Sequence, residues 1–126
     1  MQAIVVRVVV EVAGHSNRLG GVRRAGFDEI AYRKGHRYLL VAVNHDTGRL
    51  VWAGEGRNAE TLGKFFGALG PDRAALLTHV TADGAEWIHD VVTDRAPQAT
   101  VCLDAFHVVA LATKALEELR RRTAAT

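Results

Sequence analysis

The stretch GFDEIAYRKGHRY, residues 26–38, decides the fold, because an apolar run containing two acids is followed by a basic turn. Asp28 and Glu29 interrupt the apolar residues, and a second apolar segment begins at Leu39. Burial of a carboxylate costs free energy unless the group is paired, hydrogen-bonded or bound to a metal. Two interpretations of these acids are therefore open: they are ligands of a functional site, or they mark a polar strand end beside the basic turn.

Three strands joined by short turns are predicted around this stretch. They span residues 22–30, 37–44 and 49–54, and they are rich in β-branched and other apolar residues. The segments between them carry the glycine and polar residues that turns require. Consecutive strands with such short connections predict an antiparallel meander.

The period of the apolar residues then changes from that of a strand to that of a helix. Asn58 is a predicted N-cap, and Gly70 with Pro71 is predicted to end the helix. Apolar residues recur at the spacing of one helix face. That face is formed by Leu62, Phe65, Phe66 and Leu69.

Two further strands and two further helices are predicted after residue 71. The strands span residues 74–80 and 99–103, and between them lies a helix that carries Trp87, Ile88, Val91 and Val92. The apolar face of the last helix consists of Val108, Val109, Ala112, Ala115, Leu116 and Leu119. The order βββ-α-β-α-β-α predicts parallel strands with right-handed crossovers in its second half. We therefore expect an α/β protein of ribonuclease-H-like fold, with a mixed five-stranded sheet and flanking helices.

In such a sheet the first and fourth strands are neighbours, which brings two distant acids together. Asp28 lies on the first strand and Asp83 lies just past the fourth, and ligand sites gather at the carboxyl ends of strands. Their oxygen ligands suit Mg²⁺ or Mn²⁺. Two such metals can stabilise the attacking and leaving oxygens of a phosphoryl transfer. The alternative for Asp83 is a capping box with Glu86, and the alternative for Asp104 is an N-cap.

Composition sets wider limits on the class of protein. A chain of 126 residues with 48% hydrophobic content can bury one core, and a net charge of +2 does not by itself indicate a nucleic-acid partner. The single cysteine, Cys102, in a predicted buried strand, excludes a disulfide within the chain and suits a cytoplasmic location. No apolar stretch approaches membrane-spanning length, so we expect no membrane partner.

Four motifs, in order, resemble the ISL3 family of bacterial insertion-sequence transposases. The motifs are DEIAYRKGHRY, NHDTGRLVWA, THVTADGAEWI and DAFHVV, and the similarity covers about residues 22–122. The family has a DDE catalytic domain of ribonuclease-H-like fold, which cuts DNA at transposon ends and joins the 3′ ends to new DNA using Mg²⁺. The resemblance implies that residues 22–126 are a partial catalytic domain. Residues 1–21 would then be a remnant of the helical DNA-binding region.

The resemblance also assigns roles to individual residues. It implies that Asp28 and Asp83 are the first two catalytic acids and ligate Mg²⁺ or Mn²⁺. Asp104 and His107 match the family's D-x-x-H motif, for which we expect a supporting role near the site. The family's third acid, a glutamate, lies well downstream of that motif. We therefore expect a fragment that lacks this acid and performs little strand transfer.

DNA is the expected partner, and Arg33, Lys34 and Arg37 in the basic turn are the predicted DNA-binding residues. Phosphate contacts would make this binding steeply dependent on the salt concentration. The alternative is that these basic residues simply form a solvated face. A homo-oligomer is a further possibility if the apolar face of the last helix is exposed.

Two other functions are compatible with the same residues. One is a non-catalytic DNA-binding or oligomerisation module left from a transposase. The other is a small metal-dependent nuclease that uses Asp28, Asp83 and a third acid such as Glu29 or Asp104.

Overall fold

A computed structural model describes residues 16–31, 38–82, 86–102, 110, 112–118 and 121. The strands are β1 (Arg24–Ala31), β2 (Tyr38–Asn44), β3 (Arg49–Glu55), β4 (His79–Thr81) and β5 (Thr100–Cys102). The helices are α1 (Ala59–Leu69), α2 (Pro71–Ala74), α3 (Glu86–Arg95) and α4 (described over residues 112–118). A 3-10 helix, Ser16–Leu19, precedes β1.

The five strands form one mixed sheet in the order β3-β2-β1-β4-β5. β1 pairs antiparallel with β2, and β2 pairs antiparallel with β3. β1 pairs parallel with β4, and β4 pairs parallel with β5. The predicted meander, the parallel second half and the neighbouring first and fourth strands are all confirmed.

The two faces of the sheet carry different cores. Among the described residues the larger one, here called the aromatic core, packs Phe27 and Trp52 of the sheet against residues such as Phe65 of α1 and Ile88 of α3. Leu19 of the 3-10 helix is also buried in it, so this part of the segment 1–21 packs directly on the sheet. The other face carries the aliphatic core, formed by Leu39, Val41, Val43, Leu50, Ala112, Ala115 and Leu116.

Helix α1 covers the aromatic core with the predicted face. Phe65 makes edge-to-face contacts with three rings, at centroid distances of 4.9 Å to Phe27, 5.6 Å to Trp52 and 5.2 Å to Phe66. Each such pair contributes roughly 0.5–1.5 kcal/mol beyond area burial. The predicted N-cap is also confirmed, since Oδ1 of Asn58 accepts a hydrogen bond of 2.9 Å from the backbone N–H of Thr61.

The fourth strand begins later than predicted, at His79 rather than residue 74. Gly70 ends α1 as expected, but Pro71 then occupies the first turn of α2. Proline fixes φ at a helical value in that position. Its missing N–H removes no hydrogen bond there, because an N–H in the first turn has no partner within the helix. The Arg73 side chain folds back onto α1, where its Nε donates to the carbonyl of Leu69 at 2.6 Å. Residues whose apolar character predicted a strand therefore form a helix and a turn, which local hydrogen bonds stabilise.

Strand β5 begins at Thr100, one residue later than predicted, and lies at one edge of the sheet. The predicted end at residue 103 lies outside the described residues. Cys102 has a free thiol and is half-buried rather than buried, as expected for a strand that has a neighbour on one side only.

Helix α4 lies on the aliphatic core. Ala112, Ala115 and Leu116 are buried there, at 0%, 3% and 8% exposure. The exposed apolar face considered from the sequence is therefore not found at these three positions, because the sheet itself covers them. In the part of the chain that the structure describes, no helix has both the length and the apolar character needed to cross a membrane.

Candidate active site at the carboxyl end of β1

Asp28 lies in the second half of β1, which extends beyond the end of β4. The pairing of β1 with β4 runs from Arg24 to Gly26, where Gly26 lies opposite Thr81. Pairing of β1 with β2 continues through Ala31. Asp28 is half-buried and lies at the carboxyl end of the parallel pair, which is where α/β sheets place their ligand sites.

The two neighbouring acids of β1 face opposite sides of the sheet. Asp28 pairs with Val41, which belongs to the aliphatic core, and Glu29 pairs with Leu40, which belongs to the aromatic core. Side chains alternate along a strand, and directly paired residues share a face. Glu29 is therefore an unsuitable partner for Asp28 at one metal ion, which removes it as the third acid of the nuclease alternative.

Asp28 lies between the buried Val41 of β2 on one flank and the end of β4 on the other. Val41 is fully buried on one flank, and its own partner across the sheet is Ala53. On the other flank β4 has ended at Thr81, which is itself buried with 8% exposure. The buried neighbour Val41 therefore restricts the hydration of Asp28 on that flank.

The other predicted site residues lie outside the described ranges. They are Asp83, Asp104 and His107 for the acidic site and Arg33, Lys34 and Arg37 for DNA. Within those ranges, no three His, Cys, Asp or Glu side chains lie close enough together to hold a metal ion. Asp28 is thus the predicted metal ligand that lies among the described residues.

One charged feature at this end of the sheet was missed by the sequence analysis. The guanidinium carbon of Arg57 lies 3.9 Å from the centroid of the Tyr38 ring. Tyr38 begins β2 opposite Ala31, and Arg57 follows the end of β3, so both lie at the carboxyl end of β1. Only the register between β2 and β3 brings them together, and no local pattern in the sequence indicates that register.

A solved structure shares this architecture. The catalytic core domain of BIV integrase matches with a TM-score of 0.57 and 16% sequence identity, over 83% of this chain and 71% of that chain. The mixed five-stranded sheet with helices on both faces is thus a ribonuclease-H-like fold, as expected from the sequence. Asp28 lies at the carboxyl end of the first strand of this fold.

Sequence comparison narrows the class to a family. The chain belongs to the ISL3 family of DDE transposases, whose family model, described as "Transposase", matches residues 25–126. It is 57% identical over 120 residues to the transposase for insertion sequence element IS1557 of Mycobacterium tuberculosis. It is 39% identical over 83 residues to the transposase for insertion sequence element IS1001 of Bordetella parapertussis.

These matches cover very different shares of the proteins compared. The first covers 95% of this chain but 27% of the Mycobacterium tuberculosis protein. The second covers 66% of this chain and 20% of the Bordetella parapertussis protein. The chain therefore spans about a quarter of the length of the relatives it matches.

Proposed function

We propose that this chain supplies part of the metal-dependent site with which a DDE transposase cuts DNA at the ends of an insertion sequence and joins them to new DNA. The position of Asp28 supports the proposal most directly. It is a half-buried carboxylate at the carboxyl end of β1, beside the point where β4 stops. Membership of the ISL3 family agrees with this assignment.

The register of the parallel strands supports a shared site. One row of paired residues crosses β1, β4 and β5 at Gly26, Thr81 and Cys102. The sequence has an aspartate two residues beyond each member of this row, namely Asp28, Asp83 and Asp104. Ligand sites of α/β sheets gather beyond the carboxyl ends of their strands, which is where the sequence has Asp83 and Asp104.

In the proposed site Asp28 and Asp83 hold Mg²⁺ or Mn²⁺, and Asp104 and His107 support them. Carboxylate oxygens are hard ligands that fit these cations, and Asp28 offers such an oxygen at the border of the aliphatic core. A bound metal would supply stabilisation of charge on the oxygens of the scissile phosphodiester. The basic turn with Arg33, Lys34 and Arg37 would bind phosphates of the DNA.

Calorimetric titration with Mn²⁺ and Mg²⁺ tests the proposed ligand, because Glu29 provides a matched control on the same strand. The 126-residue chain should bind metal, Asp28→Asn should lose binding, and Glu29→Gln should retain it. The reason is that alternation places the two carboxylates on opposite faces. Equal binding by the wild type and Asp28→Asn, or no binding by either, would contradict this metal site.

A second measurement separates cleavage from simple DNA binding. Asp28→Asn should remove any Mn²⁺-dependent cleavage of a duplex while leaving metal-free binding of the same duplex intact. Cleavage that survives the substitution would contradict the assignment of Asp28.

A further inference from the structure

The Arg57–Tyr38 stack combines a fixed guanidinium with an exposed position. Arg57 lies over the Tyr38 ring at 3.9 Å, a cation–π distance. The arginine is exposed, whereas the tyrosine is half-buried. Among the described residues, no acid forms an ion pair with Arg57. The ring thus holds the cation in place without neutralising its charge.

The backbone on which Arg57 sits is fixed as well. The N–H of Gly56 donates to the carbonyl of Tyr38 at 2.8 Å, which ties the turn to the residue that carries the ring. Gly56 has a φ of 113°, and a side chain at this position would overlap the hydroxyl of Thr61. That hydroxyl lies 3.1 Å from the carbonyl oxygen of Glu55 and 2.9 Å from Oδ1 of Asn58.

An arginine whose backbone and guanidinium are both held in place loses less conformational freedom when it binds a ligand. A free arginine side chain loses conformational freedom when binding orders it. Arg57 is already ordered by the ring and by the turn. An exposed, preorganised guanidinium is suited to a phosphate, whose oxygens it can bind through two parallel N–H groups.

The position of the stack relates it to the proposed active site. Tyr38 pairs with Ala31 at the carboxyl end of β1, the end at which Asp28 lies. The stack is on the α1 side of this end, and Asp28 faces the α4 side. A duplex, whose major groove alone is about 12 Å wide, can contact both sides across that end.

We propose that Arg57, held by Tyr38, binds a phosphate of the DNA backbone at the carboxyl end of β1. This inference rests on the proposed function, because it takes DNA as the partner. It adds a DNA-binding residue outside the basic turn, on a separate strand connection.

Arg49 provides the matched control for a test of this proposal. It is an exposed arginine at the start of β3, whereas Arg57 lies two residues beyond the end of the same strand. The six residue steps of β3 from Arg49 to Glu55 span roughly 20 Å. The substitutions Arg57→Gln and Arg49→Gln remove the same charge at opposite ends of the sheet.

The measurement is the binding of a fluorescent random-sequence duplex to the 126-residue chain, without divalent metal, over a range of salt concentrations. Arg57→Gln should weaken binding and reduce the log–log salt slope by about 0.9, the value for one phosphate contact. Arg49→Gln should leave the slope unchanged. Tyr38→Leu should weaken binding, whereas Tyr38→Phe should retain it because the ring is kept.

The outcomes separate this inference from the proposed function. Equal losses from Arg57→Gln and Arg49→Gln, or no loss from Arg57→Gln, would overturn the Arg57 contact while leaving DNA as the partner. A wild-type chain that binds no duplex at low salt would overturn both. Urea midpoints of all variants, measured in parallel, should agree within the error for the two exposed arginines, which shows that binding rather than folding has changed.

Discussion

Phe27 and Asp28 are neighbours in β1, yet they serve opposite faces of the sheet. Phe27 is 2% exposed and packs on Phe65 in the aromatic core. Asp28 is half-buried and borders the aliphatic core at Val41. Among the described residues, the aromatic core is the larger and holds the rings, whereas the aliphatic core contains smaller side chains. Strand β1 therefore contributes a ring to the aromatic core on one face and a carboxylate to the border of the aliphatic core on the other.

The largest expected effect comes from breaking the aromatic core at its centre. Phe65→Ala should lower the free energy of unfolding by about 3–5 kcal/mol, because it leaves a cavity and removes three ring contacts. Urea denaturation measures this. Phe66→Ala is the control in the same helix. It should lower the free energy of unfolding by less, because the Phe66 ring takes part in one of the three contacts, the one with Phe65. A larger loss from Phe66→Ala would show that Phe65 is not the centre of the core.

A smaller effect is expected on the face that carries Asp28. Leu116→Ala should lower the free energy of unfolding by about 2–3 kcal/mol, near the lower end for buried leucine, since Leu116 retains 8% exposure. Lys114→Ala on the exposed side of α4 should change it by less than about 0.5 kcal/mol. Equal effects of the two substitutions would mean that α4 does not cover the aliphatic core in solution.

Local signals in the sequence were sufficient for some parts of this structure. The face of α1 follows from a 3.6-residue period, and its start follows from the ability of Asn58 to cap a helix. The order of the sheet follows from the layout of a meander followed by two β-α units, in which the first and fourth strands are neighbours.

Other features depend on competition between helix and strand, or on the register of strand pairs. Neither can be seen in the local sequence. Residues 74–78 are apolar enough for a strand, but Pro71 and Arg73 favour a helix and turn before β4. The Arg57–Tyr38 stack requires the register between β2 and β3, which includes an irregularity after Ala42. A one-residue slip in that register would move every side chain of a strand to the other face.

The smallest change in stability is expected at the start of α1. Asn58→Ala should lower the free energy of unfolding by about 1 kcal/mol, because the N–H of Thr61 loses its acceptor. Asn58→Asp keeps an acceptor oxygen and should lower it less. The same substitution also loosens the turn that holds Arg57, since Oδ1 of Asn58 is one of two oxygens near the Thr61 hydroxyl.

Asn58→Ala should therefore weaken duplex binding as well, although residue 58 itself carries no charge. The salt slope should fall by less than the 0.9 expected for Arg57→Gln, because the guanidinium is still present but less well fixed. Loss of stability with unchanged DNA binding would show that the Tyr38 ring alone positions Arg57. Loss of both would show that the cap of α1, which stabilises the helix on the aromatic core, also orders a residue at the DNA-binding end of the sheet.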